Sequence, residues 1–423
     1  MSIRTLAAAC GAALFIQFAV SPTAFAADAP AHWVTAWATA LQPIPQRADL
    51  PPLYRAPEVA GRTVRQIVYP TLSGRSARVH LSNQYGKTPL VIEDLRIARS
   101  TGGAAAADNG ETRVAFGGKG VISIPPGGES ESDPVAIDVA AGVPYAVSAF
   151  MGPEQRAVAW HRVSNQVNYV SAPGNHAADA SADAFRGRFT QYVWVTGLSV
   201  DTTPASAAVA AIGDSITDGM RSSLNQNRRW PDALARRFAA TGERSTAIVN
   251  LGISGNRLLS DSPCYGDALA TRFEHDALRR PGVKTAILLI GINDINFAAM
   301  PPRGGLDCDF PHTTVTAADL IAGYQRVIAT ARHAGVKVFG ATLTPASLPP
   351  QRESIRLAVN RWIRTSHAFD GVVDFDAALR DPAQPDRLQR SFDSGDHIHP
   401  SDAGYAAMAD AVPVDAVVKS TRN

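Results

Sequence analysis

The sequence is poor in cysteine: its 423 residues hold three, Cys10, Cys264 and Cys308. It also lacks an excess of charge of either sign, with 40 Lys and Arg against 38 Asp and Glu and a formal net charge of +2. No electrostatic field argues for nucleic acid or for cationic partners. No run of basic residues is interleaved with aromatics, so a nucleic-acid surface is not expected. Beyond the first 26 residues, no segment is apolar enough to span a bilayer. Neither a Gly-x-Gly-x-x-Gly turn nor a phosphate-binding loop follows any expected strand, which weighs against a nucleotide-binding domain. No internal repeat is visible. What is present is an ordinary globular balance, 45% hydrophobic and 18% charged.

Residues 1–26 have the form of a secretory signal. Arg4 precedes an apolar core running to Val20, and Ala24-Phe25-Ala26 offers a small-x-small cleavage site. The core is short for a membrane anchor and ends in Ser21-Pro22-Thr23. A secreted or periplasmic mature protein without a membrane span is therefore expected. In an oxidising compartment Cys264 and Cys308 are expected to pair. Closing that loop is worth about 4 kcal/mol on the chain-entropy argument.

Residues 27–204 read as all-β, a sandwich of jelly-roll type. Runs such as Thr63–Tyr69, Ala77–Leu81, Leu90–Ile92, Val121–Ile124, Val135–Val139 and Tyr145–Ala149 alternate or are β-rich, with Gly, Pro, Asn and Ser clusters between them. Ala104–Ala107 is expected to be a loop. Past Pro204 the pattern changes. Strand candidates Ala207–Ile212, Thr246–Leu251, Thr285–Ile290, Val336–Ala341 and Gly371–Phe375 alternate with helical spacing over Trp230–Ala240, Ala317–Ala334, Glu353–His367 and Asp402–Val412. Asp232, Thr316 and Ser401 stand at or near helix starts. Residues 205–423 are thus expected to form a three-layer α/β/α domain on a parallel sheet.

Four fragments fall at or just after strand ends. They are Gly213-Asp214-Ser215, Asn250–Asn256, Gly291-Ile292-Asn293-Asp294, and Asp396-His397-Ile398-His399-Pro400. Acyl transfer by serine needs a hydroxyl, a base, a group that orients the base, and donors for the oxyanion. Ser215 fits the nucleophile and His399 the base. Asp396, three residues earlier, can be aimed at the far nitrogen of His399 by a single turn. The Ser215 and Gly255 backbone N–H groups and the Asn293 amide fit the oxyanion donors, Gly255 because no Cβ would block the substrate. His397 stands too close to Asp396 in the chain to face it as easily as His399 does. No third His or Cys joins the His397/His399 pair nearby, so neither a metal nor another cofactor is expected.

These four fragments, in this order, resemble the sequence blocks of the SGNH/GDSL hydrolase superfamily of esterases and acyl hydrolases. The first block reads Gly213-Asp214-Ser215-Ile216-Thr217, the second has its glycine donor at Gly255, the third is Gly291-Ile292-Asn293-Asp294, and the last carries Asp396 and His399. Ile216-Thr217 departs from the Leu-Ser or Leu-Thr often seen there, at no catalytic position. The chain is also similar to secreted bacterial arylesterases and acylhydrolases with a β-sandwich ahead of the catalytic domain. That likeness lies in His32–Trp37 and Ser391–Asp396. Some sandwich-bearing members deacetylate polysaccharides, so the resemblance admits a sugar ester.

Insertions over 261–273 and 295–314, each with one cysteine, are expected to frame the cleft. Ile295, Phe297, Met300 and Phe310 are candidates for a modest acyl pocket. Arg257, Trp160 and His161 are candidates for substrate contacts. Asp214, Asp218 and Asp294 are expected to cap and support the site. The expected activity is hydrolysis of short-chain, acetyl-type esters of alcohols, phenols or sugars. Two alternatives stay open: a lysophospholipase or thioesterase with the same triad, and a glycan-binding protein on an inactive hydrolase scaffold.

Overall fold

The strand Ala207–Gly213 is buried along its whole length, which suits its unbroken Ala, Val and Ile run. In the computed structural model it lies inside a five-stranded parallel sheet. The strand order is Thr246–Gly252, Ala207–Gly213, Val283–Leu289, Lys337–Ala341, Gly371–Val373. The structure describes residues 31–47, 49–108, 111–297 and 300–422. The signal-type segment 1–26 and Cys10 lie outside them. His32–Asn423 form one compact unit.

Helices fill the connections. Thr316 starts Ala317–His333 with a reciprocal cap, accepting from the Asp319 N–H at 3.2 Å while the Asp319 carboxylate accepts from the Thr316 N–H at 2.9 Å. The face of that helix bearing Leu320, Tyr324, Val327, Ile328 and Ala331 is buried, the i, i+4, i+7 stripe of an amphipathic helix. Ser401 caps Asp402–Ala411 through the Gly404 N–H, and Asp232 accepts from the Arg229 N–H at the start of Trp230–Ala240. Several helices escaped the periodicity: Leu269–Phe273, widening over Glu274–Leu278, the short Ile292–Phe297 and Phe375–Leu379, and Val414–Arg422. The first buries Arg272 and Asp276 beside Leu269 and Phe273, so a search for an apolar stripe passes over it.

The β-rich region forms two main antiparallel sheets. One holds His32–Ala38, Val195–Thr202, Ala77–Ser82 and Glu129–Glu131; the larger is built on Arg62–Val68, Leu90–Gly102, Tyr145–Met151 and Asn168–Pro173. Apolar side chains of both sheets fall in one buried cluster with those of the parallel sheet. Val135–Val139, expected as a strand, makes only isolated bridges to Gly74 and Ala77. Ala105–Ala106, expected in a loop, folds back on Leu90–Gly102 as a short strand after Gly103, whose φ of +55° permits the tight reversal.

The edge of the parallel sheet does not face water bare. Thr71 covers it: its hydroxyl accepts from the Ile248 N–H and donates to the Ile248 carbonyl, both at 2.9 Å. Satisfying the edge strand from the β-rich region removes a template for unwanted pairing. The same region also meets the parallel-sheet half at Thr35, whose N–H donates to the Pro281 carbonyl at 2.9 Å.

Candidate active site

Gly213 pairs with Gly252 on one side and Leu289 on the other, so three parallel strands end level with one another. The chain order reverses around the central strand here, the place where open α/β sheets put their ligand sites. The segments that follow these strand ends carry Ser215, Gly255 and Asn293. Added carbons at Gly213 and Gly252 would strike the Leu289 carbonyl and the Asp218 backbone. The two glycines therefore let the short helix Ser215–Asp218 sit directly on the sheet edge.

Asp214 caps that helix through the Ile216 N–H at 3.0 Å. Ser215 Oγ lies 2.8 Å from His399 Nε2, and His399 Nδ1 lies 2.8 Å from Asp396 Oδ2. Asp396 Oδ1 accepts the backbone N–H groups of Ile398 at 3.1 Å and His399 at 2.8 Å, the single turn that aims the carboxylate at the ring. Arg221 Nε donates to Asp396 Oδ2 at 3.1 Å. Burial raises the cost of charge on Asp396, but the bonds from His399 and Ile398 outweigh it and hold the carboxyl well below the usual carboxylate range. His397 takes another partner, Asp393, at 2.6 Å and is exposed.

Gly255 adopts φ +86°, and a Cβ there would collide with the Tyr265 ring. Only glycine fits both the left-handed backbone and the space. Asn293 spends one amide hydrogen on the Asn256 carbonyl at 3.0 Å, leaving the second free for a ligand. Asp294, next in the chain, accepts the N–H groups of Leu258 and Leu259 and so fixes the loop after Gly255.

Sequence reasoning missed Arg272, which ties these parts together. Its guanidinium donates to the carbonyls of Gly213 at 2.9 Å and Leu251 at 3.0 Å, to Asn256 Oδ1 at 2.9 Å, and to Asp276 at 2.9 Å. Both strand ends and the Gly255 loop thus hang from one buried cation. The spacing Arg272-x-x-x-Asp276 was the available signal, since i, i+4 pairs share a helix face.

Three candidate substrate contacts need correction. Trp160 is fully buried in the core. Arg257 is buried over the Phe297 ring, with its N–H groups on the carbonyls of Asp309 and Pro311, so it braces the 295–314 segment. His161 is buried with both ring nitrogens near carbonyl oxygens, those of Ala40 and Val163. Arg257 and His161 reach carbonyls remote in sequence, at Asp309 and Ala40, and Trp160 enters the core, none of which local pattern reveals. The acyl-pocket candidates also separate: Ile295 is buried, Phe297 stacks on Tyr265 with centroids 5.7 Å apart, and Phe310 is 58% exposed. Cys264 and Cys308 are joined as a disulfide that links the two insertions. An open groove of ≈ 460 Å³ on the β-rich region, lined by Arg62, Arg186, Arg188 and Phe189, contains no nucleophile and base pair.

The sequence model of the GDSL-like Lipase/Acylhydrolase family matches residues 211–407, the span from the strand before Ser215 to the helix after His399. This segment is a GDSL-like hydrolase. The chain thus carries a carboxylic ester hydrolase domain of the SGNH/GDSL superfamily. Its fold is similar to a GDSL-like lipase from Bacteroides thetaiotaomicron VPI-5482, at 16% identity and TM-score 0.35 over 52% of this chain and 90% of that one. It is similar also to the inhibitor-bound aryl esterase of M. smegmatis, at 15% identity and TM-score 0.38 over 51% and 99%. No curated protein matches the chain. No helix among the described residues is long and apolar enough to cross a membrane.

Beneath this GDSL-like site lie three buried carboxyls. Burial pushes Asp214 up to about 7 against the bond from Ile216, with the nearby Asp294 and Asp218 adding to the rise. Burial likewise pushes Asp294 up to about 6. A carboxyl raised on folding stabilises the fold fully below its unfolded value of about 4, and that contribution is lost as pH rises through the folded value. Stability is therefore expected to fall between about pH 4 and 7 on account of these groups. Asp214→Asn, which keeps an acceptor for Ile216, should make Tm less sensitive to pH. Its Tm relative to wild type should improve from pH 5 to pH 8; an unchanged difference would sink this account.

Proposed function

We propose that the protein is an exported serine esterase that hydrolyses short-chain, acetyl-type esters of alcohols, phenols or sugars through an acyl-enzyme on Ser215. The observation that carries the reading is the unbroken line from Ser215 Oγ to His399 Nε2 and from His399 Nδ1 to Asp396. In this reading Ser215 Oγ attacks the ester carbonyl as its proton passes to His399 Nε2. Asp396 keeps the other ring proton on Nδ1 and stabilises the imidazolium. The carbonyl oxygen gathers negative charge against the N–H groups of Ser215 and Gly255 and the free amide hydrogen of Asn293. His399 returns the proton to the departing alkoxide as the C–O bond breaks. Water, deprotonated by the same ring, then attacks the acyl-enzyme, and Ser215 leaves as the hydroxyl.

A small acyl group suits the surroundings. The Tyr265 ring stands against Gly255, Phe297 stacks behind it, and the disulfide holds both insertions in place. The Asn296–Pro311 segment is rich in Pro, Gly and Asp, unlike the continuous apolar stretch an oil interface needs. The leader of residues 1–26, the β-rich domain of 27–204 and the catalytic domain of 205–423 belong to the same reading, as does passage to the periplasm or beyond.

Fluorophosphonate should label the protein at Ser215, and Ser215→Ala should abolish the label. Against a panel of aryl acetates, acetylated xylan, long-chain aryl esters, lysophospholipids and thioesters, kcat/KM should be highest for acetates. A preference for long-chain esters by orders of magnitude would overturn the acyl assignment and leave the serine chemistry intact.

A further inference from the structure

The β-rich region sends one polar side chain to the back of the catalytic half. His161 Nε2 lies 3.0 Å from Asp218 Oδ1, and both groups are almost wholly buried. The same ring nitrogen is 3.1 Å from the Val163 carbonyl, the oxygen toward which its hydrogen bond is directed. Nδ1 lies 3.1 Å from the Ala40 carbonyl, which fixes the ring from the other side. Asp218 Oδ1 accepts no well-aligned hydrogen bond from any described residue, so His161 is the polar group that faces it. The other oxygen, Oδ2, accepts both the backbone N–H of Ser254 at 2.9 Å and its hydroxyl at 2.6 Å. Ser254 immediately precedes Gly255.

We infer that His161 is a positioning residue for ester hydrolysis, acting through Asp218 and Ser254 to hold the Gly255 N–H at the reacting carbonyl. The inference rests on the oxyanion role given to Gly255 above. The effect is one of placement: Ser254 holds one oxygen of the carboxylate, and the buried His161 ring, 3.0 Å from the other, limits how far that carboxylate and the loop on it can turn. Displacement of a catalytic group by about 1 Å can cost on the order of a hundredfold in rate. The β-rich region is thereby part of the catalytic apparatus and more than a neighbour of it.

The test compares His161→Ala and His161→Gln with wild type on p-nitrophenyl acetate, following kcat, KM, the rate of fluorophosphonate labelling and Tm. His161→Ala should lower kcat and the labelling rate together by about ten- to a hundredfold, with KM changed less than about twofold. His161→Gln, whose amide can donate to Asp218, should recover most of the loss. Should His161→Ala fail to fold, Ser254→Ala takes its place, removing the hydroxyl bond to Asp218 while keeping the backbone one; a several-fold loss in kcat at constant KM is expected. A folded His161→Ala with kcat within twofold of wild type would overturn the proposal. So would a glutamine variant as impaired as alanine, or a Ser254→Ala enzyme of wild-type kcat when it serves as the substitute. If wild type is not labelled and Ser215→Ala stays active, the fault lies with the functional reading itself.

Discussion

Replacing Ser215 by alanine is expected to lower kcat/KM for aryl acetates by roughly 10⁴- to 10⁶-fold while leaving the folded state intact. The hydroxyl makes its hydrogen bond to His399, at the site and not inside the packed core, so its loss removes the attacking atom without opening a cavity. His399→Ala should cost a similar amount, because a hydroxyl without a base is a poor nucleophile at neutral pH. Combining the two should cost little more than either alone, as groups that act in one step are strongly non-additive. Steady-state rates on p-nitrophenyl acetate, with Tm as the control for folding, decide the matter. A Ser215→Ala enzyme that keeps a tenth of its activity would remove serine from the reaction. A wild-type rate unchanged down to about pH 4, where free imidazole is fully protonated, would remove histidine as the base.

The largest loss of stability is expected from Arg272→Met. The guanidinium is buried and donates to two strand-end carbonyls, to Asn256 and to Asp276. Methionine fills much of the volume but leaves those acceptors facing an apolar group. Removing one member of a buried, hydrogen-bonded ion pair costs about 3–5 kcal/mol, against about 0–1 kcal/mol for an exposed pair. Arg279, on the same segment and paired with Glu274 at 3.0 Å, is 67% exposed at its side chain and serves as the comparison. Urea unfolding should therefore show a large fall in midpoint for Arg272→Met and little change for Arg279→Met. Activity should suffer in any Arg272→Met enzyme that folds, because the Gly213 and Leu251 carbonyls and the Asn256 side chain lose a common anchor. If the two variants unfold at the same urea concentration, Arg272 is not the tie described here.

Much of this was readable along the chain. The parallel strands lie within about two residues of their expected limits because each is a short, mostly apolar run of strand length. Thr316 and Ser401 act as caps, since their chemistry is local. The spacing Asp396-x-x-His399 carries its own geometry, because a turn of three residues brings carboxylate and ring together. Other features were not readable. Val135–Val139 has a strand's pattern but pairs only at isolated points, because pairing depends on what lies alongside. Arg257, Trp160 and His161 have the chemistry of substrate contacts, yet each is covered by residues distant in sequence.

The order of short motifs pointed by itself to an α/β ester hydrolase, because the segments of Ser215, Gly255 and Asn293 each follow a strand and are specified by a few neighbouring residues. Only the tertiary structure decided that Ser215 and His399, 184 positions apart, come within hydrogen-bonding distance. It also decided that one buried arginine holds the strand ends level and that a histidine from the β-rich region stands behind Asp218. The reason is physical: a turn or a cap is set by adjacent residues, whereas the partner of a buried charge is set by whichever distant segment packs over it.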